Sequence, residues 1–260
     1  MVDHAVAAPR TIGSLFAGIG GLELGLEHAT GATTLWQCEI DAFCRSVLAT
    51  HWPRATRYED VTTLSNPPPV DLICGGFPCQ DISSAGKGAG LAGGRSGLWY
   101  QFARIISEAR PEWVVVENVA SGAKRWVDAV CAGLGQLGYE TLPLPISAAD
   151  VGAPHLRRRV FIVAHAQRRA LRYRQQRMSG RRTDGVRNEG ETLALHDGGA
   201  GDAWRDGPPF PPVCRVDDGI SHRVDRLRAL GDAVVPQCAE VVGHVINELC
   251  LDHQRILRYK

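Results

Sequence analysis

Between Thr11 and Ala164 the chain alternates short apolar or β-branched runs with helical stretches. That alternation restricts it to an α/β fold built on a mostly parallel sheet with helices on both faces. Thr11 to Phe16 reads as a strand, followed by a glycine loop and a helix near Leu22 to His28. Thr33 to Cys38 and Ala42 to His51 repeat the strand–helix unit, and a third short run ends near Tyr58. Val70 to Cys74, Trp113 to Glu117, Glu140 to Ser147 and Arg159 to Ala164 read as further strands. Gly97 to Ala109 and Lys124 to Leu137 read as helices. The pattern then stops. Residues 165–224 are rich in Arg, Gly, Asp and Pro and read as a small irregular region. Order returns at Asp225, and apolar residues from Val234 to Leu251 recur at helical spacing. The expected organisation is an α/β domain over 11–164, an irregular region over 165–224, and a C-terminal segment over 225–260 that packs back onto the first domain.

The net charge of +1 hides an uneven distribution. Residues 155–187 carry eleven arginines against one acid, Asp184, a local charge of +10, so the rest of the chain sums to −9. A concentrated basic segment suits a defined nucleic-acid face, although a solvated arginine-rich loop would have the same composition. The eight cysteines are scattered without a CxxC pair, which fits reduced thiols in a cytoplasm. No HxxxH or HExxH pattern occurs among the nine histidines, so no metal is expected. No apolar run approaches the roughly 18 residues of a membrane span, and the first ten residues do not read as a signal peptide.

Three local patterns carry chemistry. The loop Phe16-Ala17-Gly18-Ile19-Gly20-Gly21, between a strand and a helix, lets backbone approach a ligand at a helix N-terminus. It does not match GxGxxG, which would need glycine at Glu23, and a tight turn without a ligand would look the same. Glu39, after the second strand, can accept bonds from both hydroxyls of a ribose, although an exposed helix cap would place an acid there too. Gly76-Phe77-Pro78-Cys79-Gln80 ends a strand-like run with a cysteine, and Glu117-Asn118-Val119 ends another with a carboxylate. Cysteine is partly ionised near neutral pH and intrinsically nucleophilic. A protonated carboxyl beside it can neutralise charge that develops as sulfur adds to an electron-poor ring.

Together these motifs resemble the DNA cytosine-5 methyltransferases, through most of the chain. The resemblance implies a Rossmann-like S-adenosylmethionine-dependent methyltransferase sheet with a small target-recognition region over 165–224. It implies a cofactor site of Phe16, Ala17, Gly18, Gly20, Gly21, Glu39 on the ribose, Ile40 on the adenine face, Asp60 on the adenine amino group, Val61, Pro78 and Leu98. Near the end, Gly231-Asp232-Ala233-Val234-Val235-Pro236 is similar to the family's last motif, adding Asp232 and Ala233, with Asp232 where Asn is usual. Cys79 matches the nucleophile and Glu117 the ring-protonating acid, while Asn118 braces the loop. His155-Leu156-Arg157-Arg158-Arg159 resembles Gln-x-Arg-x-Arg, whose alternating arginines share one side of an extended segment. By that match Arg159 contacts the target base or its carboxyl partner, and Arg157 lies nearby. The other seven cysteines are expected to be structural.

The target cytosine has to be flipped out of the duplex for such chemistry. Gln80, Ser83, Lys87 and Arg95, on the Gly-rich segment after Cys79, are the DNA contacts expected of a mobile active-site loop. Arg168, Arg169, Arg181 and Arg182 are those expected of the recognition region. The implied partners are double-stranded DNA and, in a restriction system, a cognate endonuclease; a cytoplasmic monomer is the default. Two alternatives stay open: a catalytically idle DNA-binding relative, and the tRNA-cytosine-methylating branch, against which the absence of Cys-Phe-Thr counts. A dinucleotide oxidoreductase is disfavoured by the glycine pattern.

Overall fold

The computed structural model describes residues 7–78, 97–166 and 223–258. Seven strands form one sheet: β1 (Thr11–Leu15), β2 (Thr33–Cys38), β3 (Thr56–Tyr58), β4 (Leu72–Gly75), β5 (Trp113–Val119), β6 (Glu140–Ile146) and β7 (Arg159–His165). Their order is β3-β2-β1-β4-β5-β7-β6. The first five pair in parallel; β7 lies between β5 and β6 and runs antiparallel to both. The chain order reverses direction across the sheet at β1 and β4, the place where open α/β sheets bind ligands beyond the strand C-termini.

The helices are α1 (Gly21–Thr30), α2 (Ala42–His51), α3 (Gly97–Ala109), α4 (Ala123–Gln136), α5 (Arg223–Asp232) and α6 (Pro236–Arg258). Central strands are apolar on both faces because both are covered. In β5, Trp113 and Val115 join a core with Leu22 and Leu26 of α1 and Val242 and Ile246 of α6. Val114 and Val116 join the opposite core, with Trp99, Phe102 and Ile105 of α3 and Trp126 and Val130 of α4.

Most element boundaries match the sequence pattern, with β2, α2 and α3 at the expected limits. Two differences matter. The C-terminal helical pattern begins at Pro236 rather than Val234, because proline suits the first turn of a helix, and Val234 and Val235 form a short connection from α5. In addition, Arg157 is not extended: its φ of 29° puts a bend before β7.

Helices α1 and α6 approach closely through small residues. A Cβ on Gly25 would lie 2.1 Å from the Pro236 carbonyl oxygen and 2.6 Å from Ala239 Cβ. One on Gly243 would lie 2.5 Å from Ala29 Cβ, and Asn247 Nδ2 donates to the Ala29 carbonyl at 2.7 Å. Beneath α1, the Glu23 side chain is 0% exposed against Ser14 of β1 and Gln37 of β2. Burial pushes its pKa up to about 7, with Ser14 and Gln37 opposing the rise and Glu27 adding to it.

Gly25→Ala would gain up to about 1 kcal/mol of helix propensity in isolation. Here it is expected to lose about 1–3 kcal/mol through the clash with α6, read from urea midpoints; a stabilised variant would show that the helices can part cheaply. Glu23 gives a pH signature. Below its ordinary carboxylate range both states are protonated; as pH rises towards about 7 the unfolded chain ionises first, and folding is progressively disfavoured. Across that window the stability of the parent relative to Glu23→Gln should fall by up to about 3 kcal/mol. A pH-independent difference between the two proteins would remove this assignment.

Candidate active site

Five strand C-termini open into one cleft of about 540 Å³. The loop after β1 turns sharply: Gly18 and Gly20 take positive φ, and Gly20 is the N-cap of α1. A Cβ on Gly20 would strike the Trp52 ring, 2.3 Å away. Phe16, also at positive φ, packs on Phe102 of α3 with ring centroids 6.2 Å apart. Glu39, just beyond β2, closes the loop: Oε2 accepts from Gly18 N at 2.7 Å, and Oε1 from Asp41 N at 2.8 Å. Each carboxylate oxygen has a further lone pair, so both remain able to accept from a ligand hydroxyl. Asp60 Oδ1 accepts from Thr62 N and Oγ1, both at 2.8 Å. Those bonds hold the Asp60 carboxyl below its usual pKa range. Ile40 is 74% exposed on the cleft wall, the most exposed large apolar side chain among the described residues.

The cleft wall takes in Phe16, Ala17, Gly18, Gly21, Glu39, Ile40, Asp60, Val61, Pro78, Leu98, Asp232 and Ala233. Of the residues expected at a cofactor, only Gly20 lines the adjoining cavity instead. The donor set suits a cofactor such as S-adenosylmethionine: Glu39 could accept from ligand hydroxyls, Asp60 lies further out on the wall, and the uncovered Ile40 side chain offers a surface for a planar ring.

Glu117 and Arg159 stand on the same cleft. Because β7 is antiparallel to β5, its first residue lies at the strand-end edge: Val119 pairs with Arg159 and Glu117 with Phe161. Arg159 is therefore a diagonal neighbour of Glu117 on one face, and Arg159 Nε meets Glu117 Oε1 at 2.9 Å. Glu117 is 7% exposed. Burial raises its pKa to about 7, against the pull of Arg159 and Arg157. Gly76 leaves it room, since a Cβ there would lie 2.5 Å from Glu117 Oε2. Asn118 Nδ2 donates to the Phe77 carbonyl at 2.9 Å, and Trp126 Nε1 to that of Val119 at 3.0 Å. Asn118 and Trp126 thus fix the ends of β4 and β5 against each other and the helix behind.

Arg157 and Arg159 diverge. Arg157 Nη2 donates to the Ala233 carbonyl at 2.6 Å, while Arg158 between them is exposed. Cys79, Gln80, Ser83, Lys87, Arg95, Arg168, Arg169, Arg181 and Arg182 lie outside the described residues. The six other cysteines that are described are buried or half-buried. Burial raises the pKa of each, so all are held as thiols near neutral pH. Among the described residues no His/Cys/Asp/Glu group could hold a metal ion, and no helix is long and apolar enough to cross a membrane.

Sequence reasoning missed Arg228 and Arg45. Arg228, on α5, pairs with Asp41, the N-cap of α2, and so joins the C-terminal segment to the cleft rim. Arg45 donates to the Glu39 and Ile40 carbonyls at 3.0 and 2.7 Å, steadying the backbone that carries both side chains. Arg45 follows Glu39 by six residues, a hint that local spacing could have offered. Nothing local signals Arg228, whose partner is 187 residues away.

A family profile described as C-5 cytosine-specific DNA methylase matches residues 10–194. The chain is 36% identical over 159 residues to Type II methyltransferase M2.BsuMI of Bacillus subtilis, covering 58% of this chain but 41% of that protein. It is 34% identical over 176 residues to Type II methyltransferase M.AquIA of Picosynechococcus, covering 58% of this chain and 70% of the relative. Among solved structures it is similar to a protein assigned as a DNA modification methyltransferase encoded within a prophage of E. coli. That similarity has a TM-score of 0.50 at 30% identity, over 60% of this chain and 46% of the other. The chain spans less than half the length of the Bacillus relative. The matched profile covers most of the sequence, including the strand ends that open into the cleft but not its α5–α6 wall, and the chain belongs to the C-5 cytosine-specific DNA methylase family.

Proposed function

We propose that the protein transfers a methyl group from S-adenosylmethionine to C5 of cytosine in a specific DNA sequence. The observation that carries this is a nearly buried, Arg159-paired Glu117 with a pKa near 7, on the same cleft as the glycine loop and Glu39. A carboxyl so poised is half protonated at neutral pH and can donate to a ring nitrogen. When bound, S-adenosylmethionine supplies an electrophilic methyl group on its sulfonium.

The chain's own residues are assigned the remaining work. Glu39 holds the ribose and Asp60 the adenine amino group, with Ile40 and Leu98 against the adenine. Cys79 as thiolate adds to C6 of a flipped cytosine, and Glu117 gives its proton to N3, so the ring gains no net charge. C5 then forms its bond to the methyl carbon as the methyl–sulfonium bond breaks and S-adenosylhomocysteine leaves, and N3 returns its proton to Glu117. Loss of the C5 proton to a base re-forms the C5–C6 double bond and expels the Cys79 thiolate. Arg159 holds Glu117 in place and faces the same pocket. Residues 165–224 read the target sequence, with Arg168, Arg169, Arg181 and Arg182 on DNA, and Gln80, Ser83, Lys87 and Arg95 close over the flipped base. Double-stranded DNA is the substrate. The names of the relatives favour a restriction-modification or prophage setting, with a cognate endonuclease as partner in the former.

Bisulfite sequencing of DNA from cells expressing the chain tests the activity directly. Methylated cytosines in one sequence context are expected; unmodified DNA in the presence of folded, cofactor-binding protein would sink the proposal. On duplexes carrying that context with 5-fluorocytosine at the target, the parent should form a covalent adduct and Cys79→Ala none. An adduct retained by Cys79→Ala would move the nucleophile elsewhere. Glu117→Gln should slow single-turnover methyl transfer by about 10²–10⁴-fold. In the parent, the protonated fraction of Glu117 falls as pH rises through about 7, so its contribution to the rate should decline above that pH, and the Gln variant should lack the decline. A parent rate that keeps rising to pH 9 would exclude Glu117 as proton donor.

A further inference from the structure

Two arginines separated by one residue reach two different parts of the site. Arg159 takes Glu117. Arg157, bent away by its positive φ, donates from Nη2 to the Ala233 carbonyl at 2.6 Å. Ala233 and Val234 lie in the short connection between α5 and α6, and both line the cleft and the adjoining cavity of about 910 Å³. The Val234 carbonyl oxygen lies so close to Gly21 that a Cβ there would be 2.2 Å from it. The connection is therefore a wall laid against the first residue of α1, directly beside the glycine loop. Its α6 end is fixed by the packing of Pro236 and Ala239 on Gly25. Its α5 end is tied to the rim by the Arg228–Asp41 pair. Between them, Arg157 is the side chain bonded to the backbone of the wall at Ala233. A guanidinium–carbonyl bond of this length is charge-assisted and directional.

We infer that Arg157 is a positioning residue for the cofactor, holding the Ala233–Val234 wall against the glycine loop, and that it does not act on the target base. This rests on the cleft being the S-adenosylmethionine site. The geometry separates the two arginines by task. Loss of Arg159 frees Glu117 and strikes the chemical step, whereas loss of Arg157 loosens the wall and strikes cofactor affinity. Because α1 and α6 hold each other through Gly25, Ala29, Ala239 and Gly243 without Arg157, the fold does not depend on this bond. Lysine can replace it with a single donor, without the fork of a guanidinium.

The test uses the full chain and its Arg157→Ala, Arg157→Lys and Arg159→Lys variants. Affinity for S-adenosylhomocysteine is measured by calorimetry without DNA. Thermal unfolding is followed without ligand. Single-turnover methylation of unmethylated plasmid DNA is measured at saturating S-adenosylmethionine. Arg157→Ala should weaken S-adenosylhomocysteine binding about tenfold, roughly the loss of one hydrogen bond to a charged group. Its melting temperature should stay within a few degrees of the parent, and its saturated single-turnover rate should fall far less than that of Arg159→Lys. Arg157→Lys should recover part of the affinity, and Arg159→Lys should show the opposite pattern, with near-normal affinity and a slow chemical step. Parent-like S-adenosylhomocysteine affinity in Arg157→Ala would overturn the inference, as would a saturated rate lowered a hundredfold with affinity intact. If the parent itself binds no S-adenosylhomocysteine, the functional reading fails and the inference falls with it. Parent binding with an unaffected Arg157→Ala overturns the inference alone.

Discussion

The contact between Gly21 and the Val234 carbonyl joins the glycine loop near the start of the sheet to the C-terminal segment at the wall of the cleft. A side chain at position 21 would have to occupy the space of that oxygen, so the helix after the glycine loop and the segment before α6 can meet only because the residue is glycine. The same economy runs down α1 through Gly25 and Ala29, opposite Ala239 and Gly243 of α6. Van der Waals attraction is weak per atom pair and falls steeply with separation, so two helices gain most when their backbones come close. The consequence reaches beyond stability. The cleft is walled on one side by the C-terminal segment, and its shape follows from how tightly α6 sits on α1.

On the other wall, charge is set by burial. Glu117 is enclosed by the ends of β4 and β5, and enclosure disfavours its anion; Arg159, beside it, favours the anion. A lone buried carboxyl would keep its proton well above neutrality, and one fully neutralised by arginine would lose it to solution near its ordinary range. The balance between a low-dielectric surrounding and the pull of Arg159, with a smaller one from Arg157, leaves the group able to give up a proton and take it back near pH 7. Glu23 is a contrasting case under the glycine loop, where burial acts with a neighbouring Glu27 and, among the described residues, without the pull of a cation. Its raised pKa burdens the fold at high pH rather than serving a visible step.

The direction of one strand decides how Glu117 acquires its partner. Were β7 parallel to β5, its first residue would lie at the far edge of the sheet and Arg159 would sit remote from the cleft. The antiparallel insertion of β7 between β5 and β6 brings that first residue to the open edge. The alternation of strands and helices along the chain implied a mostly parallel sheet but carried no sign of the reversal, because an apolar strand covered on both faces reads the same in either direction.

Local pattern was enough for β2, α2 and α3, whose limits depend on short-range periodicity and end signals, such as Asp41 capping α2. It was also enough to pick out Glu39, Asp60 and Glu117, since carboxylates at strand ends stand out against apolar runs. It was not enough for Arg157, which an extended reading put on the same side as Arg159. The bend at Arg157 and its bond to Ala233, 76 residues on, belong to the packed molecule. The same holds for Arg228 on Asp41. The sequence by itself determined the strand–helix alternation, the glycine loop and the kinds of reactive group available, because these follow from side-chain periodicity and residue chemistry. Tertiary structure alone decided which arginine meets which acceptor, how far Glu117 is desolvated and how the C-terminal segment closes the cleft. Those properties depend on distances between residues far apart in the chain, which only the close packing of α1 on α6 and the reversal of β7 bring within reach.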